Sequence, residues 1–317
     1  MSRVGAFLNP GRALDVSVDL ARRADALGYE SVWVTHGGGR DSFLVLSAYA
    51  AAGPRIHVGN GVVPIYPRHP TAMAQAALTL SEMTRGRFRL GIGVSHKPSM
   101  EGQLGLTLSE PLQTTREYVE VLRGAFSDGA SFEGKHYRVK WTMAVPDRPP
   151  APPIYLATLG PKMCELAGEI ADGAILWLCA PEYIRRVALP AFERGRKRAG
   201  KPLEGFDVVA AVPLALTDDP TGTGAAFRTE LSRYLALPFY RAMMEGSGLG
   251  AAVKEFDRTG QTPQVLADAL GAVGDAATCR AYVDSYRAVG VTLPALRPIG
   301  FPESPWYRPT LEAGAGW

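Results

Sequence analysis

Short apolar runs alternate with longer amphipathic segments along most of the chain. Near-continuous apolar runs of this length are typical of buried parallel strands. The predicted strands cover residues 4–8, 31–35, 56–63, 88–94, 154–157, 174–178, 208–216 and 291–296. Between the strands, apolar residues recur three and four positions apart, which indicates helices. The predicted helices cover residues 14–27, 42–52, 70–83, 111–126, 161–171, 181–199, 221–257 with breaks near 238 and 246–250, 265–270, and 276–288.

This alternation predicts an α/β protein with a parallel sheet, because parallel strands need crossover connections that are usually helices. Parallel strands joined by helices fit a closed barrel or an open doubly wound sheet. Eight strand–helix units over 317 residues favour the (β/α)8 TIM barrel. We therefore predict one domain over residues 1–317, with a helical insertion after strand seven at about residues 221–262.

The unusual residues of the chain follow the predicted strands, where a barrel builds its active site. The fourth strand contains Gly91 and Gly93 and runs into Ser95 and His96. Glycine inside a strand often marks a bulge or the close approach of another backbone or a ligand. These glycines fit either a flat ring lying against bare main chain or a bend with no ligand.

The segment after the fifth strand, residues 158–162, leads into a predicted helix with Pro161 in its first turn. Proline is preorganised for that position. Free main-chain N–H groups and the helix dipole attract an anion at such a helix start, and Lys162 adds a positive charge. The segment therefore predicts a phosphate site, with a solvated helix start as the alternative.

Composition narrows the class of protein. Apolar residues make up 46% of the chain, so a large core is possible. The net charge is +3, and the basic residues are scattered apart from a cluster at 194–198, which is typical of a solvated helix face rather than a nucleic-acid site. No apolar run is long enough to span a membrane, and no signal-peptide pattern is present. We expect a soluble, cytoplasmic protein that binds neither nucleic acid nor membrane.

The cysteines do not predict a bridge or a metal site. Cys164, Cys179 and Cys279 form an odd, widely spaced set with no C-x-x-C motif. Phe7 and Asn9 stand in the first strand region, where a metal hydrolase barrel would need a histidine pair. We therefore expect no metal, and a hydrolase is the weakest of the functions considered.

Several segments together resemble the bacterial-luciferase-like superfamily, and within it the deazaflavin-dependent reductases such as methylenetetrahydromethanopterin reductase. Each motif is modest, but their order and spacing are specific, and the likeness runs from about residue 4 to about residue 300. The segments that carry the resemblance are residues 28–34, 59–70, 86–93, 159–163, 167–173, 273–275 and 286–291.

The resemblance implies a barrel that binds coenzyme F420, or alternatively reduced FMN, at the carboxyl ends of its strands. It also implies a non-prolyl cis peptide between Gly61 and Val62, and a homodimer such as many relatives form. The residues that would bind the cofactor are Phe7, Asn9, Gly61, Val62, Val63, Gly91, Gly93, Ser95, Ala157, Thr158, Leu159, Gly160, Pro161, Lys162, Met163 and Trp177.

Two histidines are candidates for the catalytic acid. A deazaflavin carries hydride at C5, and a reductase of C=N, C=C or C=O bonds also needs a proton donor near the substrate. His96 follows strand four and His36 follows strand two, and histidine titrates near neutrality. Each could instead be a hydrogen-bonded structural histidine.

One departure from the family disfavours a pterin substrate. Methylenetetrahydromethanopterin reductase has a glutamate in strand one, where this chain has Phe7. The leading hypothesis is an F420-dependent oxidoreductase acting on a small organic substrate. An FMN-dependent two-component monooxygenase and a catalytically silent flavin-binding barrel are the alternatives. We expect the long helical insertion to cover the pocket.

Overall fold

A computed structural model describes residues 3–37, 39–145 and 147–317. The remaining positions, which include the middle of the 37–39 glycine run, lie outside the described residues. Eight parallel strands close into a barrel, which confirms the predicted fold. In chain order the barrel strands are β1 Gly5–Phe7, β2 Ser31–Val34, β3 His57–Asn60, β5 Phe88–Gly93, β8 Ile154–Ala157, β9 Gly173–Leu176, β10 Asp207–Leu216 and β12 Leu293–Pro298.

Pairing between the first and last strands closes the barrel. Strand β1 pairs with β2 and with β12, and β10 pairs with β9 and with β12, all in parallel. The short strand β4, Val63–Pro64, continues β3 beyond a bulge and pairs with β5. Outside this ring, β11, Ala272–Gly274, pairs in parallel with the end of β10. Strands β6, Ala130–Glu133, and β7, Arg138–Trp141, form an antiparallel hairpin.

The helices lie close to their predicted positions. Those before β10 are α1 Leu14–Leu27, α2 Ser42–Ala52, α3 Pro70–Met83, α4 Pro111–Phe126, α5 Pro161–Ile170, α6 Pro181–Tyr183 and α7 Leu189–Arg198. Those after it are α8 Pro220–Leu235, α9 Pro238–Met244, α10 Gly250–Thr259, α11 Gln264–Leu270, α12 Ala276–Ala288 and α13 Tyr307–Gly314. Within the described residues, no helix is long and apolar enough to cross a membrane.

The structure adds elements that the sequence pattern did not predict. Helix α13 follows β12 and packs on the barrel with Tyr307 and Leu311 buried. A π-helical turn, Pro98–Gln103, follows β5, and β11 precedes α12. Each is short, so it offers few positions on which a repeating pattern could be detected.

Local chemistry explains several helix starts. The Asp41 carboxylate accepts a hydrogen bond from Phe43 N–H before α2, and the Asp275 carboxylate accepts one from Thr278 N–H before α12. Such caps satisfy N–H groups that have no partner inside the helix. Proline occupies the first turn of α3, α4 and α5, where its missing N–H costs nothing.

The barrel interior is filled by side chains. Alternate residues of a strand face the same side of the sheet, so one row from each strand points inward. Three large aromatic residues contribute to this inner layer, whereas filled barrels generally use branched aliphatic side chains there. Its buried members are Phe7, Trp33, Tyr155, Ile175, Val209, Ala211, Leu293 and Ala295.

Ion pairs close the amino-terminal end of the barrel. Arg3 Nε and Nη2 donate to the two oxygens of Glu30 at 2.6 and 2.9 Å, and Arg3 Nη1 donates to Asp207 at 2.6 Å. Arg89 also pairs with Glu30, and the Tyr155 hydroxyl donates to Asp207 at 2.8 Å. Residues at this end of a barrel generally serve stability rather than chemistry.

Candidate active site

A cavity of about 610 Å³ opens at the carboxyl ends of the strands. Its volume lies within the usual range for small-molecule sites, and its position is the one that barrel enzymes use. The ends of β1, β2 and β12 and the loop after β9 form one side, and α8 forms the other. Its lining residues are Phe7, Leu8, Asn9, Thr35, Trp177, Ala226, Thr229, Glu230, Arg233, Tyr234, Leu237, Arg297, Pro298, Ile299, Gly300, Phe301, Ser304 and Trp306.

Arg297 is the buried charge of this cavity. It follows Leu293 and Ala295 in the inward-facing row of β12, so strand periodicity directs its side chain into the mouth of the barrel. Nη1 pairs with the Glu230 carboxylate of α8 at 2.8 Å, and the guanidinium lies 5.3 Å from the Trp177 ring centroid. Nε and Nη2 are buried without a hydrogen-bond partner among the described residues.

Phe7 and Trp177 form the aromatic floor of the cavity. Their ring centroids lie 5.3 Å apart in an edge-to-face arrangement. Trp177 Nε1–H donates to the Tyr234 hydroxyl at 3.0 Å, which ties the floor to α8. Three predicted cofactor residues, Phe7, Asn9 and Trp177, therefore meet at this cavity.

Asn9 has a visible structural task. Its Nδ2 donates to Gly300 O at 3.2 Å, and its Oδ1 accepts from Gly11 N–H at 3.0 Å. Its own N–H donates to the Tyr307 hydroxyl at 2.8 Å. Asn9 thus fastens the loop after β1 to the segment after β12 and shapes the rim of the cavity.

The bulge after β3 lies directly behind Phe7. The peptide between Gly61 and Val62 is cis, as the family resemblance implies. A Cβ on Gly61 would come within 2.2 Å of the Phe7 ring, so only glycine fits there. Val62 packs half-buried beside the inner layer, whereas Val63 is fully buried in β4.

The glycines of β5 allow neighbouring strands to pack closely. A Cβ on Gly91 would lie 1.9 Å from Asn60 O, and a Cβ on Gly93 would lie 2.8 Å from Ala157 Cβ. Both distances are far shorter than ordinary contacts. The two glycines therefore have a reason in strand packing, and the resulting wall at this side of the mouth is main chain and small residues.

His96 leaves β5 beneath the helices that follow β10. The preceding Ser95 has a left-handed backbone (φ +63°), which is uncommon for a non-glycine residue and turns the chain sharply. The imidazole faces the Tyr240 ring of α9, with centroids 5.6 Å apart. Burial lowers the pKa of His96, so its imidazole is neutral at pH 7.

His36 is engaged at the start of α2. Its Nδ1 accepts from Ser42 N–H at 3.2 Å and lies 3.0 Å from the Ser42 hydroxyl oxygen. Burial lowers the pKa of His36, and the charge of Arg68 acts in the same direction, against the opposite effect of Asp41. Its Nδ1 is thus engaged by Ser42, and neither His36 nor His96 is among the residues that line the cavity.

The start of α5 has the features predicted for an anion site. Gly160 is the N-cap residue, and its carbonyl accepts from Met163 and Cys164 N–H at 3.1 and 3.0 Å. Pro161 and Lys162 are exposed, Met163 is half-buried, and Thr158 is buried. Leu159 O accepts from the Tyr183 hydroxyl at 2.9 Å, which holds the loop in place.

Helix α9 lies against both parts of the predicted cofactor site. Phe239 sits 3.8 Å from the position of a Cβ on Gly160, while Tyr240 faces His96. Tyr240 also stacks edge-on against Tyr234, with centroids 4.9 Å apart. An aromatic series therefore runs from His96 across α9 and α8 to Trp177.

Sequence reasoning missed the charged residues of the cavity, namely Arg297, Arg233 and Glu230. A signal for Arg297 existed, because it is a single charge in an otherwise apolar strand, in register with inward-facing residues. The predicted strand ended at residue 296, two positions before the observed end at Pro298, and so left Arg297 out. Glu230 and Arg233 lie on α8, where exposed charges are ordinary and carry no such signal.

The described residues contain no group of three histidine, cysteine or carboxylate side chains placed to hold a metal ion. All three cysteines are buried and unpaired. Burial raises the pKa of Cys164 to about 11 and that of Cys279 to about 11, so neither is a thiolate at neutral pH.

Comparison with known proteins places this geometry in a family. The sequence profile of the luciferase-like monooxygenases matches residues 1–293. The 5,10-methylenetetrahydromethanopterin reductase of Methanolobus tindarius is 27% identical over 298 residues, which cover 88% of this chain and 89% of that protein.

Two solved structures share the fold at low sequence identity. An F420-dependent secondary alcohol dehydrogenase in complex with an F420–acetone adduct superposes with a TM-score of 0.83, at 20% identity over 99% of this chain and 97% of the other. The oxygenating constituent of 3,6-diketocamphane monooxygenase from Pseudomonas putida, in complex with FMN, superposes with a TM-score of 0.75, at 17% identity over 99% and 96%. These likenesses show the barrel architecture.

Proposed function

This chain belongs to the luciferase-like monooxygenase family, and from that premise we propose that it is an F420-dependent oxidoreductase. It would transfer hydride between C5 of the deazaflavin and a C=N, C=C or C=O bond of a small organic substrate. A relative from Mycobacterium tuberculosis named putative coenzyme F420-dependent oxidoreductase, 28% identical over 309 residues that cover 87% of this chain and 88% of that protein, supports this choice of cofactor.

The observation that carries the proposal is the form of the mouth between β4, β5 and α5. Gly93 and Ala157 present main chain and small side chains there, and this surface suits one face of a planar ring. The wall ends at the start of α5, where the helix dipole and the exposed Lys162 favour a phosphate. These features of β5, β8 and the start of α5 support the proposed cofactor.

The chain's own residues would bind the coenzyme, exclude water from the mouth of the barrel and donate a proton to the substrate. When bound, the coenzyme would supply hydride from C5 of its ring. Gly160 and Lys162 would hold the anionic tail, and Tyr234 and Tyr240 would exclude water from the mouth. His96 would donate a proton from an imidazole nitrogen to the substrate atom that becomes negative. Because burial lowers its pKa, this donor would be charged only on the acid side of neutrality.

Binding separates the proposal from its alternatives. We expect oxidised coenzyme F420 to bind at micromolar or lower concentration, measured by its fluorescence, and FMN to bind at least tenfold more weakly. Lys162→Ala should lower the affinity for the coenzyme. The matched Lys197→Ala, on an exposed turn of α7, should leave that affinity unchanged. Tighter binding of reduced FMN with oxygen consumption would favour the monooxygenase alternative. Binding of neither cofactor would remove both.

The monooxygenase alternative has structural support of its own. The start of α5 would accept the phosphate of FMN by the same dipole and charge, and a barrel of the same fold is solved with FMN. Oxygen consumption with reduced FMN is therefore the necessary control in every activity assay.

We also propose a homodimer. Leu44 on α2 and Met83 on α3 are 74% and 57% exposed, and these two helices are neighbours. Burial of both against a second copy would remove apolar surface from water. Light scattering should give twice the 33.9 kDa chain mass, and a single-chain mass at micromolar concentration would exclude the dimer.

A further inference from the structure

We propose that Arg297 binds a carboxylate of the substrate, so that the cavity selects small carboxylic acids. The inference rests on the proposed function in that it names the substrate class of the same active site. Its physical basis is a buried guanidinium, with two nitrogens that have no hydrogen-bond partner among the described residues, in a side chain that lines the cavity.

Arg297 has hydrogen-bonding capacity that the described residues do not satisfy. The Arg297 side chain is only 10% exposed, and its Nε and Nη2 have no hydrogen-bond partner among the described residues. Buried polar groups are nearly always paired, and an unpaired charged donor is especially costly. A second oxyanion beside Arg297 would satisfy both nitrogens at once.

The two unpaired nitrogens share one edge of the guanidinium. Nε–H and Nη2–H lie in its plane and point in the same direction. Arg3 uses this edge in the same protein, donating from Nε and Nη2 to the two oxygens of Glu30. A planar fork of this kind matches a carboxylate with two parallel hydrogen bonds. In Arg297, Glu230 pairs with Nη1 and leaves Nε and Nη2 without a partner.

The charge and shape of the cavity also favour a carboxylate. The charged residues that line the cavity are Arg233, Arg297 and Glu230, which leaves one positive charge in excess. Phe7, Trp177 and Trp306 provide apolar and aromatic walls beside it. An acid with a flat or apolar body would therefore place its carboxylate on Arg297 and its body against these rings, next to the Gly61 bulge that Phe7 covers.

Another buried arginine shows why the cavity matters. Arg89 also has one unpaired nitrogen, Nη1, but it lies at the amino-terminal end, where Glu30 and neighbouring ion pairs surround it. It lines no part of the cavity. Arg297 has two unpaired nitrogens and also lines the cavity, so a small shift of its side chain would bring them to a ligand there.

The test measures binding of benzoate to the cofactor-free, full-length protein by calorimetry and by quenching of tryptophan fluorescence. Benzamide is the neutral counterpart of the same shape, and phenyl phosphate is the tetrahedral anion. We expect benzoate to bind at least tenfold more tightly than benzamide. Equal affinity for both, or tighter binding of phenyl phosphate than of benzoate, would overturn the assignment to carboxylates.

Variants locate the site. Arg297→Lys keeps the positive charge but loses the two parallel donors. It should therefore lower the affinity for benzoate at least tenfold and leave the affinity for benzamide unchanged. Glu230→Gln removes the competing carboxylate and should tighten benzoate, a direction that a merely structural role would not produce. The matched Arg116→Lys, in a two-bond pair with Glu169 outside the cavity, should have no effect on benzoate. An unchanged benzoate affinity in Arg297→Lys would refute the proposal.

Coenzyme titration separates this inference from the proposed function. Arg297→Lys should bind coenzyme F420 as the wild type does, since the predicted phosphate site is at α5. Loss of coenzyme affinity in this variant would assign Arg297 to the cofactor tail and overturn the substrate role. Conversely, benzoate binding without any coenzyme binding would support the anion site and contradict the F420 proposal.

Discussion

Substitution of Gly91 by alanine tests whether the glycines of β5 serve strand packing or a ligand. The added Cβ would lie 1.9 Å from Asn60 O and 2.7 Å from Ile175 Cδ1. Ordinary van der Waals contact begins at 3.4 Å, so β3 and β5 would have to separate by about 1.5 Å. The obstacle on one side is main chain, which cannot rotate away.

The expected cost follows from overpacking of a tightly packed core. Such substitutions typically cost about 1–3 kcal/mol and occasionally more. We expect the upper end, about 3 kcal/mol, because a backbone oxygen is displaced. In a chain of this size that corresponds to a fall in the thermal midpoint of about 4–5 °C. Differential scanning calorimetry, with urea unfolding as a second measure, provides the assay.

Gly102→Ala is the matched control. Gly102 lies in the π-helical turn after β5, and a Cβ there would meet nothing within 4 Å. We expect a change within about 1 kcal/mol in either direction. If Gly91→Ala unfolded at the wild-type temperature and lost only cofactor affinity, the packing explanation would be wrong and the glycine would belong to the ligand.

Three further predictions concern the Asp207 carboxylate, coenzyme binding at Gly160 and proton donation by His96. Burial raises the pKa of Asp207, but hydrogen bonds from Arg3 and Tyr155 outweigh it and leave the pKa lowered. This carboxylate therefore stabilises the fold above the unfolded pKa of about 4, and its contribution is lost as pH falls through the lower folded value. Asp207→Asn should lower the free energy of unfolding by about 2 kcal/mol at pH 7, the range for hydrogen bonds to a charged group. The free energy of unfolding measured in urea should then depend less on pH on the acid side, and an unchanged dependence would contradict this. Gly160→Ala should keep its melting temperature, because its Cβ would meet only Phe239 at 3.8 Å, but weaken coenzyme F420 several-fold in fluorescence titrations. If His96 is the acid, kcat/KM should fall as pH rises through a pKa below about 6.5, and His96→Gln should abolish that dependence.

The sequence pattern predicted the barrel because its evidence is spread over many residues. Strand and helix periods repeat eight times, and the caps and prolines mark the helix starts independently. The bounds of α1, α2, α3, α4 and α12 agree with those predicted. Isolated short elements such as α13 offered too few turns for the same argument.

The charged part of the site could not be predicted in the same way. Arg297 belongs to β12, but the predicted strand ended at Leu296, so its inward direction was not evident. Its partner Glu230 lies 67 positions earlier, on a helix that meets the barrel only in the folded chain. Pairs of this kind depend on tertiary packing, and the local periodicity of the sequence carries no information about it.

The two ends of the barrel differ in how their charges are balanced. At the amino-terminal end, Arg3 and Arg89 are matched by Glu30 and Asp207, so the local charges cancel. At the carboxyl end, the cavity holds two arginines and Glu230 alone. An unpaired buried donor is costly. A protein selected only for stability would therefore be expected to have a second carboxylate at the carboxyl end, as it has two at the amino-terminal end. The missing negative charge lies at the end of the barrel where chemistry occurs, and an anionic ligand would supply it.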